Sequence, residues 1–213
     1  ILFSRYRDGD NDIYVMDADG GNVQQLTNDP GRDWDSTWSP DGTRIAFTSD
    51  RDGDWDIYVM DADGGNVQLM TYGSYSIDQD PAWSPDGTRI VFASNRLHHG
   101  TDDLDLFTMD TDGDIIQRLT DNPEWDSDPA WSPDGTRIAF VSYRDDDYDI
   151  YVMDADGTNV QQLTDDPARD GYPVWSPDGS RIAFTSLRTG DYDLYVMDAD
   201  GTNVQQLTDT LEW

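Results

Sequence analysis

The chain contains no lysine, no cysteine and, apart from Glu124 and Glu212, no glutamate; its only histidines are the adjacent pair His98 and His99. Missing cysteine excludes disulfides and thiol chemistry and leaves the redox compartment open. With lysine gone as well, the usual nucleophiles and bases of an enzyme are nearly exhausted. There is no apolar run of membrane-spanning length and no signal-peptide pattern. A start at Ile1-Leu2-Phe3 points to a processed or trimmed product.

What the chain has in excess is aspartate. Against 13 arginines stand 45 acidic residues, for a formal charge of -32 over 213 residues. Nucleic acid and anionic membranes are therefore poor partners, and membrane insertion is not expected; cations are good partners. So large a charge repels itself unless salt screens it or bound cations such as Ca²⁺ neutralise it, which implies high-salt or calcium-rich surroundings. Halophilic adaptation gives the same composition. Turn chemistry accounts for part of the excess, because Asp bonds its own backbone.

Self-similarity organises the rest. Trp-Ser-Pro-Asp-Gly recurs at Trp38, Trp83, Trp131 and Trp175, with offsets of 45, 48 and 44. The aromatic of the Ile/Leu-Tyr/Phe-x-Met-Asp segment falls at Tyr14, Tyr58, Phe107, Tyr151 and Tyr195, with offsets of 44, 49, 44 and 44. Each period reads as four short strands: one ending in Trp-Ser, a Pro-Asp-Gly turn, an Arg-Ile-Ala-Phe-Thr-Ser strand, a second hairpin, an Asp-Ile-Tyr-Val-Met strand, an Asp-Ala-Asp-Gly turn, and a polar outer strand. Four strands per period of about 40 to 45 residues predicts an all-β propeller of five four-stranded blades. One domain over 1–213 is expected, with units near 1–28, 29–72, 73–121, 122–165 and 166–213. Ile1 aligns with Ile45, so the first blade lacks its innermost strand. That strand is expected from outside residues 1–213, by an unmatched terminus or a neighbouring subunit.

The run Trp-Ser-Pro-Asp-Gly-x-Arg-Ile-Ala-Phe followed by Asp-Ile-Tyr-Val-Met-Asp-Ala-Asp-Gly resembles the TolB-type propeller repeat, and the resemblance covers essentially the whole chain. It implies a protein-binding platform of the bacterial periplasm or an auxiliary domain of a peptidase, with no catalytic residue in the repeat itself.

Three sets of residues are candidates for chemistry. Asp33, Asp78, Asp126 and Asp170 each precede a repeat tryptophan by five residues. On innermost strands they would ring the central channel, where a hard cation with loose oxygen coordination, Ca²⁺, would relieve their repulsion. Capping of the preceding loop accounts for them equally. Asp-x-Asp pairs recur in all five units, and Asp8-Gly9-Asp10-Asn11-Asp12 and Asp52-Gly53-Asp54-Trp55-Asp56 look like the start of a calcium loop without its closing glutamate. Turn chemistry again competes. Trp34, Trp55, Trp125 and Trp213 stand outside the repeated tryptophans and are candidates for partner contact, with packing between blades as the alternative. The His98-His99 loop reads as an exposed variable loop, since adjacent strand residues point to opposite faces.

A glycoside-processing enzyme could use two carboxylates, but near-identical aspartates in every blade argue for repetition rather than one asymmetric pair. The leading expectation is therefore a non-enzymatic, extracellular or periplasmic scaffold, stabilised by cations and binding a protein or glycan on one face. The alternative is a structural subunit that builds a homo-oligomer, filament or surface lattice by blade completion.

Overall fold

The computed structural model describes residues 1–7, 9–72, 76–97, 103–144 and 146–209. It is an all-β, five-bladed propeller, with no helix among the described residues. The first sheet has three strands, β1 (Leu2–Arg7), β2 (Asp10–Val15) and β3 (Gln24–Gln25). The second has β4 (Asp33–Trp38), β5 (Arg44–Ser49), β6 (Asp56–Asp61) and β7 (Gln68–Leu69). The third has β8 (Asp78–Trp83), β9 (Arg89–Ser94), β10 (Asp105–Asp110) and β11 (Ile115–Arg118). The fourth runs β12 (Asp126–Trp131), β13 (Arg137–Ser142), β14 (Asp149–Asp154), β15 (Gln161–Gln162), and the fifth β16 (Asp170–Trp175), β17 (Arg181–Ser186), β18 (Asp193–Asp198), β19 (Gln205–Gln206). Strands follow chain order within every sheet, and β1 is an edge strand, as expected of a unit without the Trp-Ser strand.

Two kinds of turn, at the same end of each blade, fix the register. In Ser39-Pro40-Asp41-Gly42 the Gly42 N–H bonds the Ser39 carbonyl at 2.9 Å, and Gly42 adopts φ 69°, which only glycine takes without strain. Asp41 Oδ1 collects the Ser39 hydroxyl at 2.6 Å, the Thr43 hydroxyl at 2.9 Å and the Thr43 N–H at 3.1 Å. These bonds hold the Asp41 carboxyl at about 2, and the same pattern holds Asp86, Asp134 and Asp178 at about 2. The Asp-Ala-Asp-Gly turn is likewise closed by its own side chains, as where Asn66 Nδ2 donates to Asp61 Oδ2 and Gly65 N–H to Asp63 Oδ1.

Two compact units make up the chain, Ile1–Asp102 with Thr108–Ile116, and Asp103–Phe107 with Gln117–Trp213. In the first, Ile13 of one blade packs with Ile45, Phe47, Tyr58 and Met60 of the next, flanked by Leu2, Leu26 and Trp38. In the second, Ala139, Val141, Ile150 and Val152 pack against Trp175, Ile182, Phe184, Tyr195 and Met197. Phe47, Phe140 and Phe184 are wholly or almost wholly enclosed, each burial contributing about 1.5–3 kcal/mol. Within the second unit the Trp175 indole N–H donates to the Ala130 carbonyl of the preceding blade at 3.1 Å. The fifth sheet differs on its other face: Val174 (62 % exposed), Leu194 and Leu207 (59 %) face solvent, although Ile150 and Val152 on the same face of the fourth sheet are buried.

Each innermost strand is broken by a bulge. The residue after its second position is left-handed in all four cases: Asp35 (φ 50°), Asp80 (φ 55°), Asp128 (φ 49°) and Tyr172 (φ 53°). Such a conformation is uncommon for residues other than glycine and re-aims the side chain.

Candidate functional site

The four aspartates expected to form a ring are enclosed completely. Each meets an arginine eighteen residues further on, because the first two strands of the blade run antiparallel with Asp33 opposite Ser49. Arg51 Nη2 donates to Asp33 at 2.9 Å, Arg96 to Asp78 at 2.9 Å, Arg144 to Asp126 at 3.2 Å and Arg188 to Asp170 at 3.0 Å. The Nε of the same arginines donates to Ser49, Ser94, Ser142 and Ser186 at 2.8 to 2.9 Å. The guanidinium also lies over the tyrosine of the blade, 4.7 Å from Tyr58, 4.6 Å from Tyr151 and 4.6 Å from Tyr195. Burial still pushes Asp33 and Asp126 upward, against the lowering effect of the serine and arginine bonds. The chain thus supplies a counter-charge of its own to each of these carboxylates. Among the described residues no group of three or more Asp, Glu or His is arranged to hold a metal ion.

The two members of an Asp-x-Asp pair differ in burial. Asp12 and Asp56 are buried, whereas Asp10 and Asp54 are half-buried and Asp52 is exposed; Asp8 lies outside the described residues. Asp10 and Asp12 border a cavity of about 420 Å³ with Arg7, Gln25, Asn28 and Asp29. The buried member recurs in every blade, and Asp56, Asp105, Asp149 and Asp193 each take a threonine hydroxyl, as Asp56 does from Thr71 at 2.8 Å. Its second partner varies. Gln25 Nε2 serves Asp12 at 2.8 Å, Gln162 serves Asp149 at 2.9 Å and Gln206 serves Asp193 at 3.0 Å, while Arg118 serves Asp105. Leu69 fills the place beside Asp56 and donates nothing. Burial raises Asp56 to about 7, with Asp78, Asp52 and Asp54 adding to it, and raises Asp149 to about 6.

The bulge brings together a pair that the repeat pattern did not single out. In the first unit Asp35 and Asp80 share a side-chain hydrogen bond; loss of hydration, then the Asp80 carboxyl, push Asp35 up to about 7 although its side chain keeps contact with solvent.

Of the candidate partner tryptophans, Trp34 and Trp55 meet. Their rings lie 5.6 Å apart at 33° in the second blade. Arg32 stands 4.7 Å from the Trp55 ring and 5.9 Å from the Trp34 ring. It is fixed there by Asp50, which takes Nε at 2.8 Å, Nη2 at 2.7 Å and the Arg32 backbone N–H at 2.6 Å. The Arg32 side chain remains 51 % exposed and both indoles are half-buried. A related cluster occupies the second unit, where Tyr143 and Tyr148 lie 4.8 Å apart and Arg169 sits 4.3 Å above Tyr148. Trp125 is half-buried just before Asp126, its carbonyl accepting the Tyr143 N–H at 3.0 Å. Trp213, His98 and His99 lie outside the described residues.

The two ends of a blade differ in kind. The Ser-Pro-Asp-Gly turns are invariant among the four complete units, and Asp-x-Asp-Gly is kept in all five. At the opposite end the residue before the innermost strand is Arg32, Ile77, Trp125 or Arg169, and the residue before the buried aspartate of each Asp-x-Asp pair is Asn11, Trp55, Leu104, Tyr148 or Tyr192. Variation among otherwise repeated units is concentrated at this hairpin end, which also holds the Arg32 and Arg169 clusters; at the opposite end Arg44 over Trp83 and Arg137 over Trp175, each at 4.7 Å, repeat one arrangement.

Known proteins resemble the chain in the same terms. The TolB beta propeller domain model matches residues 124–212, and the Tricorn protease N-terminal beta propeller domain model matches residues 8–114. No curated protein sequence matches it. Among solved structures, a protein described as TolB from Agrobacterium tumefaciens is 29 % identical with a TM-score of 0.81, over 91 % of this chain and 72 % of that one. TolB from Acinetobacter baumannii is 23 % identical with a TM-score of 0.79, over 94 % of this chain and 49 % of the other. An oligogalacturonate lyase from Vibrio parahaemolyticus, at 18 % identity and a TM-score of 0.70, aligns over 97 % of this chain and 61 % of its own. The last two likenesses are of fold alone. With the two family models lying end to end along it and its repeat carrying the same strands and turns, the chain belongs to the TolB-type β-propeller family.

Proposed function

We propose that this chain is a non-enzymatic binding scaffold of the periplasm or cell exterior, recognising a protein partner through the hairpin end of its blades. The observation that carries the reading is the contrast between the two ends. One end keeps its Ser-Pro-Asp-Gly and Asp-x-Asp-Gly turn motifs and spends its aspartates on closing them; the other departs from the repeat with exposed arginine and half-buried indoles, the residue types that dominate protein interfaces. Buried carboxylates tied to arginine, serine, threonine or glutamine in the same way in successive blades serve the fold rather than one reacting centre. The TolB likeness supports a protein partner and a periplasmic setting. The test is affinity capture from a periplasmic extract with wild type and with Tyr143→Ser/Tyr148→Leu and Trp34→Ser/Trp55→Leu variants. Recovery of one partner that is lost with hairpin-end variants and retained when Asp134→Asn alters the opposite end supports the reading. Equal loss at both ends contradicts it.

A further inference from the structure

We infer that Trp34, Trp55 and Arg32 form the anchor point of the binding surface, and that it accepts a basic protein segment carrying an apolar or aromatic side chain beside its arginine or lysine. The inference rests on the proposal that the hairpin end is the binding end, and names the partner chemistry for one place on it.

Three observations converge on this site. The first is departure from the repeat. Trp34 stands where the other complete blades have Gln79, Ser127 or Gly171, and those blades keep the same bulge and the same strand pairing. An indole at this position is therefore not needed to build a blade. Trp55 stands where Asn11, Leu104, Tyr148 and Tyr192 stand elsewhere, so its size is also unforced. Two independent departures twenty-one positions apart in sequence converge to 5.6 Å in space.

The second is preorganisation. Arg32 is held by three bonds to Asp50 and lies against the indoles, so its long side chain has given up most of its freedom before any partner arrives. Fixing a flexible side chain in advance lowers the entropy that binding must overcome. Half-buried indoles beside it offer large contact area with few rotatable bonds.

The third is charge. Arg32 is already paired with Asp50, and in the adjoining hairpin Arg51 is paired with Asp29 and Asp33 while Asp52 and Asp54 add two further carboxylates. The surroundings of the indoles are thus acidic, on a chain whose formal charge is -32. An acidic rim around an aromatic contact selects a cationic partner and steers its approach, with rates that fall as salt rises. An acidic ligand meets repulsion at the same rim.

The test is fluorescence anisotropy with a labelled short peptide of alternating arginine and leucine, its glutamate-for-arginine counterpart, and a neutral hexasaccharide as competitor. It is run at physiological ionic strength, where screening limits attraction to charges near contact. Two variants keep the blade intact by borrowing residues from other blades: Trp34→Ser, as at Ser127, and Trp55→Leu, as at Leu104. Unchanged thermal melting confirms that they fold. The inference expects the basic peptide to bind and the acidic one not to, with affinity falling roughly tenfold or more in the double variant. Equal binding of the basic peptide to wild type and double variant overturns the inference. If that binding is instead weakened by Tyr143→Ser/Tyr148→Leu, the hairpin-end reading survives; if neither pair of substitutions matters, that reading fails with it. Undetectable peptide binding, or tryptophan-dependent binding of the hexasaccharide in its place, also overturns the inference.

Discussion

Leu69 offers a direct perturbation of the buried carboxylates. Four blades give the buried aspartate of the third strand a donor from the outermost strand, namely Gln25, Arg118, Gln162 or Gln206, and the second blade gives Asp56 only Leu69. Asp56 is 3 % exposed, and burial raises it from the ordinary 3.8 to about 7. A carboxyl raised in the folded state binds its proton more tightly than in the unfolded chain. Folding is therefore favoured while Asp56 is protonated, and stability falls as pH rises through about 7. Leu69→Gln should supply the missing donor. A hydrogen bond to a charged group contributes about 1.5–3 kcal/mol. The step from Asp56 at about 7 to Gln-served Asp149 at about 6 corresponds to about 1.4 kcal/mol. At roughly 2–4 °C per kcal/mol for a chain of this size, Tm at pH 8 should rise by about 3–6 °C. At pH 5 Asp56 carries its proton in the folded state, and the gain should nearly vanish. Leu69 is exposed, so the substitution disturbs no packing. Melts of both proteins at pH 5 and pH 8, followed by circular dichroism, make the comparison. An equal gain at the two pH values, or none at pH 8, refutes the reasoning.

Other outcomes follow from the same contacts. Arg144→Met should leave Asp126 charged, enclosed and short of its arginine, costing about 3–5 kcal/mol in urea unfolding at neutral pH. The pH profile should peak between about 4 and 6. Turn aspartates held at about 2, such as Asp41, stabilise above the unfolded value of 3.8 and lose that contribution as pH falls towards 2, whereas raised groups such as Asp56 lose theirs as pH climbs towards 7. At Asp33, Asp78, Asp126 or Asp170 calcium would compete with the arginine already paired to each carboxylate, so Tm should rise equally with CaCl₂ and with NaCl of matched ionic strength; a chelator-sensitive excess for calcium contradicts this.

The strands and turns were legible because each period carries its own punctuation, and the Pro-Asp-Gly and Asp-x-Asp-Gly turns recur with the glycine that positive φ requires. Even the absent strand of the first blade could be read, since Ile1 aligns with Ile45. The partners of the carboxylates were not. Asp33 reads as a free acid until β4 and β5 pair and Ser49 comes opposite it, carrying Arg51 round to the carboxylate. A signal was present nonetheless: in a chain without lysine, Arg7, Arg51, Arg96, Arg144 and Arg188 hold one position inside hairpins that otherwise vary. The Asp35–Asp80 pair was hidden because a bulge shifts the alternation of faces by one residue, which no period in the sequence announces. Trp34 and Trp55 were identifiable one at a time as exceptions to the repeat; that they meet depends on the antiparallel pairing of β4, β5 and β6, which brings the start of β4 and the β5–β6 hairpin to one end of the blade.

The division of labour between the two ends of the blades is tested most directly by a hydrogen-exchange footprint of the chain with and without the partner recovered from a periplasmic extract. Protection gained on binding should fall on the segments 28–34, 50–55, 143–148 and 165–172, leaving the Ser-Pro-Asp-Gly turns at 39–42, 84–87, 132–135 and 176–179 unchanged. Protection confined to those turns, with the hairpin end exchanging as in the free chain, would contradict the account.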